Sequence, residues 1–267
     1  MLHLLAIDLK KLTSYRTFWV ICGLYFITLG IGAASGWELV KWIANTIEGF
    51  GSKINISRIP IYHFPDVWTN LIWCAGLLKI ILAIMVVISV TNEFQYRTLR
   101  QNVIDGLSRA EFLYSKILTN VLLSLMSVGM IFLIGLVTGL IYTPSPSLDA
   151  ILTDLEFFPA YFLEVFFFLS YALMIGLLVQ RSGLTIILLM LSQLIESIIA
   201  AKVDNFAPGL IPFFPFRAIW NLVPWPWPRY AFQEVQDYVA LRDVVVVLFW
   251  TAAFNYFGYL KLKRSDI

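Results

Sequence analysis

Lys79, Glu164 and Glu196 each stand inside a long apolar run, so their chemistry is that of charge held away from water. An ionised side chain at the centre of a bilayer costs roughly 3 kcal/mol on insertion scales, and it must meet an opposite charge, another helix or water, or give up its charge. Counted from the ends of their runs, both acids fall at similar depth and Lys79 lies about one to two turns deeper. The expectation is that Lys79 pairs with one of them, the alternative being acids that are protonated or close to the outer water.

Little else in the chain offers catalysis. There is no G-x-x-x-x-G-K-[ST] phosphate loop, no H-E-x-x-H and no G-x-S-x-G, and the carboxylates Asp154 and Glu156 fall in a loop beside a proline-rich turn. No catalytic residue is therefore assigned. His3 and His63 stand alone, and Cys22 and Cys74 lie in apolar runs, where they read as buried packing residues. No metal site is expected.

The second chemically rich stretch is polar and runs from Asn92 to Leu118 between two apolar segments. Its bases Arg97, Arg100, Arg109 and Lys116 outnumber its acids Glu93, Asp105 and Glu111, which by the positive-inside tendency places it in the cytoplasm. With this elbow inside, Lys10, Lys11, Arg16, Arg181, Lys261, Lys263 and Arg264 also fall on inner segments, and both termini are cytoplasmic.

The elements that must position these residues are membrane helices. The chain is 60% hydrophobic and 13% charged over 267 residues, too apolar for a soluble domain at ~45–50%. The expected fold is an all-α membrane protein forming one transmembrane domain over 1–267. Six transmembrane helices are placed at about 17–35, 67–91, 117–142, 157–180, 184–201 and 243–260, each long enough for a hydrocarbon core of roughly 30 Å. Residues 1–16 put Leu2, Leu5, Leu9 and Leu12 on one face, with Asp8, Lys10, Lys11 and Ser14 largely elsewhere, as in an N-terminal amphipathic interfacial helix. Residues 36–66 read as an external segment with a short helix near 37–47. Gly129, Gly135 and Gly139 in the third span permit close helix contact. Residues 202–240 hold six of the eleven prolines and read as a re-entrant outer segment before the last span, with Trp220, Trp225 and Trp227 at headgroup level. No cleavable signal peptide is evident, so the chain is expected to stay uncut in the cell inner (plasma) membrane. A net charge of +2 gives no reason to expect nucleic acid.

The elbow resembles the signature of the type-2 ATP-binding-cassette exporter permeases. In that pattern a Glu closes the second span, a Gly-Thr follows, and a Pro-x-Ser-Arg turn leads through an acid to a Lys opening the third span. Glu93, Thr98, Ser108, Arg109, Glu111 and Lys116 match, while Arg97 stands where Gly is usual and Gly106 where Pro is usual. With the amphipathic start, six spans and the proline-rich segment, the resemblance extends over essentially the whole chain. It implies a coupling region at 93–112, with residues from about Glu93 to Arg109 forming a cytoplasmic coupling helix docked into a separate ATP-binding-cassette ATPase subunit. In that setting Glu93, Arg97, Thr98, Arg100, Ser108 and Arg109 are the coupling residues. This chain binds no cofactor, ATP and Mg belonging to the partner. A second permease copy or a related permease completes the path, together with membrane lipid. The apolar, aromatic character of the spans favours an amphiphilic or lipid-linked substrate. The alternative function is an ATP-driven mechanical transducer acting on an extracytoplasmic partner without moving cargo.

Overall fold

The computed structural model describes residues 2–48, 60–231 and 236–264, with side chains given for 8–32, 60–230 and 236–264. The described residues form helices and no strands, and five helices are long and apolar enough to cross a membrane, or six if a pair bent by 85° is counted as one span. The chain is thus a multi-pass helical membrane protein.

The bent pair comprises α1 (Leu2–Ser14) and α2 (Arg16–Glu48). In α2, Phe18, Cys22, Tyr25 and Leu29 are buried at helical spacing, while Trp19, Val20, Leu24, Ile27 and Ile31 face outward. This helix continues to Glu48, so the break expected after Ser35 and the separate short helix at 37–47 are absent. No proline interrupts 36–48, and a single Gly36 costs only about 1 kcal/mol, too little to end a helix. The expected outer segment at 49–59 lies outside the described residues.

Three helices then form the elbow: α3 (Asp66–Gln95), α4 (Thr98–Ile104) and α5 (Arg109–Tyr142). The long coupling helix expected from Glu93 to Arg109 is broken twice. Arg97 has φ +57° and ends α3, and Gly106 at φ +98° turns the chain after α4. The next helix starts at Arg109 rather than near Ile117, because Ser108 and Glu111 form a capping box there. Glycine suits position 106, since φ +98° is a conformation that side chains rarely adopt and proline is locked near −65°.

Beyond a short helix, α6 (Leu148–Leu152), begun by Ser147 as N-cap, α7 (Phe157–Val179) buries most of its side chains. It packs against α3, α5 and α10 (Leu241–Arg264), and its Phe167 and Phe168 are wholly enclosed. Its hairpin partner α8 (Ser182–Val203) buries only Thr185 and Leu189. The connecting turn centres on Gln180, at φ +60°. In the proline-rich stretch, 3-10 turns at Pro208–Phe213 and Trp227–Ala231 flank α9 (Pro215–Leu222). This helix buries Phe216, Ala218, Ile219 and Leu222 on α7 and α10.

The third-span glycines divide. A Cβ at Gly135 would come within 2.5 Å of the Trp68 ring, and one at Gly139 would meet Phe64, whereas Gly129 faces open space. Cys22 is buried as a packing residue, but Cys74 is exposed on the surface of α3. One face of a helix was open at that position, and the apolar run around it could not tell inward from outward.

Candidate functional site

Two buried lysines organise the polar interior. The first lies at the elbow, where Lys116 on α5 is 4% exposed. Its Nζ stands 2.5 Å from Asp8 Oδ1, 3.2 Å from Ser89 Oγ and 3.5 Å from Glu93 Oε1. Thr119 donates to the other Asp8 oxygen at 2.6 Å. Glu93, in the last turn of α3, also accepts from the Thr98 hydroxyl, and Lys11 comes within 3.7 Å of it. Four helices, α1, α3, α4 and α5, therefore meet through one set of charges. Lys11 adds a 3.4 Å contact to Asn102 of α4.

Asp8 corrects the sequence reading. It does not face water; at 4% exposure it turns inward beneath α1. The signal was present in the spacing, because Leu5, Asp8 and Leu12 share one face of a 3.6-residue helix.

The outward side of α4 is different. Tyr96, Arg97, Arg100, Gln101 and Ile104 are exposed, while Leu99 at 1% exposure anchors the inner side. Arg109 is not part of that exposed group. Its guanidinium donates to the carbonyls of Leu262 at 3.0 Å and Lys263 at 2.8 Å, so it satisfies the C-terminal end of α10. Ser108 acts as the N-cap of α5, accepting from the Glu111 N–H at 3.2 Å while Glu111 accepts from Ser108 N at 2.8 Å. Beside α4 opens a cleft of about 370 Å³ lined by Asp8, Lys11, Glu93, Asn102, Asp105 and Phe112 among others.

The second lysine lies mid-span. Lys79 Nζ is 2.5 Å from Glu164 Oε1, with the Trp220 and Phe168 rings 5.3 and 5.5 Å away. Lys79 thus pairs with Glu164 and not with Glu196. Gly76, one turn from Lys79, leaves room for the carboxylate, since a Cβ there would lie 2.8 Å from Glu164 Oε1. Tyr25, Ser127 and Tyr161 form a hydroxyl triad at 2.5, 2.7 and 3.0 Å nearby, Tyr161 being one turn from Glu164 on α7. Glu196 instead accepts from the backbone N–H groups of Phe216 at 3.1 Å and Arg217 at 2.8 Å, fixing the start of α9.

A further lock joins the proline-rich stretch to the start of α3. Arg229 bonds Asp66 at 2.7 Å and Asp237 at 2.8 Å, and Asn70 donates to Tyr230 at 2.8 Å. Burial pushes the Tyr230 phenol above its ordinary range, so it remains an O–H donor to Asp66 at 3.1 Å. Trp73 packs against Trp225 and Trp227, whereas Trp220 reaches inward over Lys79. Sequence reasoning missed this lock and the hydroxyl triad, because their members lie far apart in the chain and no local pattern joins them.

Among the described residues, no three His, Cys, Asp or Glu side chains come together as metal ligands. The charges are instead arranged to hold helices against one another, and one short helix is held on its inner side with its outer side free. No protein-family model and no curated protein matches this chain.

Proposed function

We propose that this chain is the transmembrane permease subunit of an ATP-binding-cassette exporter of the type-2 class. It sits in the cell inner membrane with both termini in the cytoplasm and moves an amphiphilic or lipid-linked substrate outward. The nucleotide is hydrolysed by a separate ATPase subunit, and a second permease, the same or related, completes the pathway.

The observation that carries this reading is the asymmetry of α4. Its inner side is fastened by Leu99, by Thr98 to Glu93 and by Asn102 to Lys11. Its outer side presents Tyr96, Arg97, Arg100 and Ile104, the aromatic and arginine composition of residues that dominate protein interfaces. A push on α4 reaches α3 through Glu93, and it reaches α5 and α1 through the Lys116 and Asp8 pair. Transmission through a rigid element into packed spans is what coupling to a motor requires. The left-handed backbone at Arg97 adds support, since that is the position where the resembling pattern carries Gly.

The test is affinity purification of the full chain from its native membrane, beside an Arg97→Glu/Arg100→Glu variant. Wild type should bring down an ATP-hydrolysing subunit in stoichiometric amount, and the variant should lose it while still forming the same helical membrane protein. An isolated wild-type complex without ATPase activity, or a variant that retains the ATPase, overturns the reading.

A further inference from the structure

Among the polar atoms buried in the bundle, Nδ2 of Asn120 has no hydrogen-bond partner among the described residues. The residue is 1% exposed, and it lies about 16 Å along α5 from Arg109 at 1.5 Å per residue. An amide donor left dry at that depth loses its hydration without compensation, and native interiors rarely tolerate this.

Asn120 borders a void of about 10 Å³ whose wall also includes Ser89, Lys116 and Thr119. That volume is about one water molecule by the measure of a 1.4 Å probe, and a water needs two to four polar partners, which these side chains offer. The void is not isolated. A second void of about 10 Å³ shares Ser89 and Lys116 with it and is also lined by Asp8, Lys11 and Glu93. Those last three residues in turn wall the open cleft of about 370 Å³ beside α4. From cleft to Asn120, each space shares polar side chains with the next.

The stripe on α5 explains where the series stops. Ser115, Lys116, Thr119, Asn120, Ser124 and Ser127 are buried on one face, but Ser115 and Ser124 turn their hydroxyls onto carbonyls of their own helix, both at 2.8 Å, and Thr119 donates to Asp8. Past Asn120 the wall is closed by Leu123, at 3% exposure.

We propose that a bound water occupies the void at Asn120 and that it is supplied from the elbow cleft past Lys116. This water accepts from Asn120 Nδ2 and bonds onward to Ser89 or Thr119. Lys116 is then a cation within reach of water, although it is buried in the protein. The inference rests on side-chain geometry alone and does not depend on the transport reading.

Water-edited solid-state NMR on the full chain in lipid bilayers tests it, with side-chain amide nitrogens and leucine methyl carbons labelled. Polarisation from mobile water should reach the Asn120 amide as it reaches Asn102 at the cleft, while methyls of Leu169, wholly buried in α7, stay dark. A Ser89→Leu variant, which blocks the shared wall, should lose the Asn120 signal and keep that of Asn102. An Asn120 amide in wild type that stays as dark as Leu169 overturns the proposal. So does an Asn120 signal undiminished in a folded Ser89→Leu variant, because the water would then enter elsewhere.

Discussion

Lys116 and Lys79 are equally buried, yet they solve the same electrostatic problem in opposite ways. Lys116 shares itself among Asp8, Glu93 and Ser89, borders a small void beside them, and ties together four helices. Lys79 has a single acid, Glu164, and its other neighbours include the aromatic faces of Phe168 and Trp220. A charge with several acceptors and water nearby can exchange partners as helices move. A charge with one partner among aromatic rings cannot, because each displacement would expose it to an apolar wall. The contrast suggests that the elbow is the adaptable junction and the mid-span pair the fixed pin.

Removing one lysine at a time sharpens this difference. Lys79→Met leaves Glu164 without its partner, and the expected loss is about 3–5 kcal/mol of unfolding free energy, measured by SDS-driven unfolding in bicelles. The double variant Lys79→Met/Glu164→Met should recover most of that loss, since two apolar side chains replace the pair. A single variant as stable as wild type would remove the pin. Lys116→Met should be milder, at about 1–3 kcal/mol, because Asp8 keeps Thr119 and Glu93 keeps Thr98 and Lys11. If it proved the more damaging of the two, the proposed contrast would reverse. The smallest effect is expected at Arg97→Gly. Releasing a non-glycine residue from the left-handed region gains about 1 kcal/mol, which the added freedom of the unfolded chain partly offsets. Melting in the same bicelles should therefore shift slightly upward, and a clear destabilisation would mean that the arginine side chain itself holds the elbow.

Several parts of this architecture were legible residue by residue. Apolar length located the helices that can span a membrane, and the polar stretch between two of them located the elbow. Proline density ruled out a spanning helix over 202–240, where α9 and the flanking turns lie. The Ser108 to Glu111 spacing is a capping box in plain sight, and it starts α5 about two turns before the apolar run that marks the third span. Arg109, one of the expected coupling residues, also holds the end of α10, more than a hundred residues away, which no local pattern announces.

Composition and spacing by themselves determined that this is a helical protein of the membrane, that a charged elbow joins two of its apolar segments, and that Lys79 cannot face lipid. These follow from transfer free energies and helical period, which are properties of short segments. Only the tertiary structure decided that Glu164 rather than Glu196 answers Lys79, that Asp8 is drawn inward to Lys116, and that Trp220 leans over a buried ammonium. The reason is that two acids at equal depth on neighbouring spans are equivalent until helix rotation and packing choose which one faces the lysine, and that choice is made by contacts between distant parts of the chain.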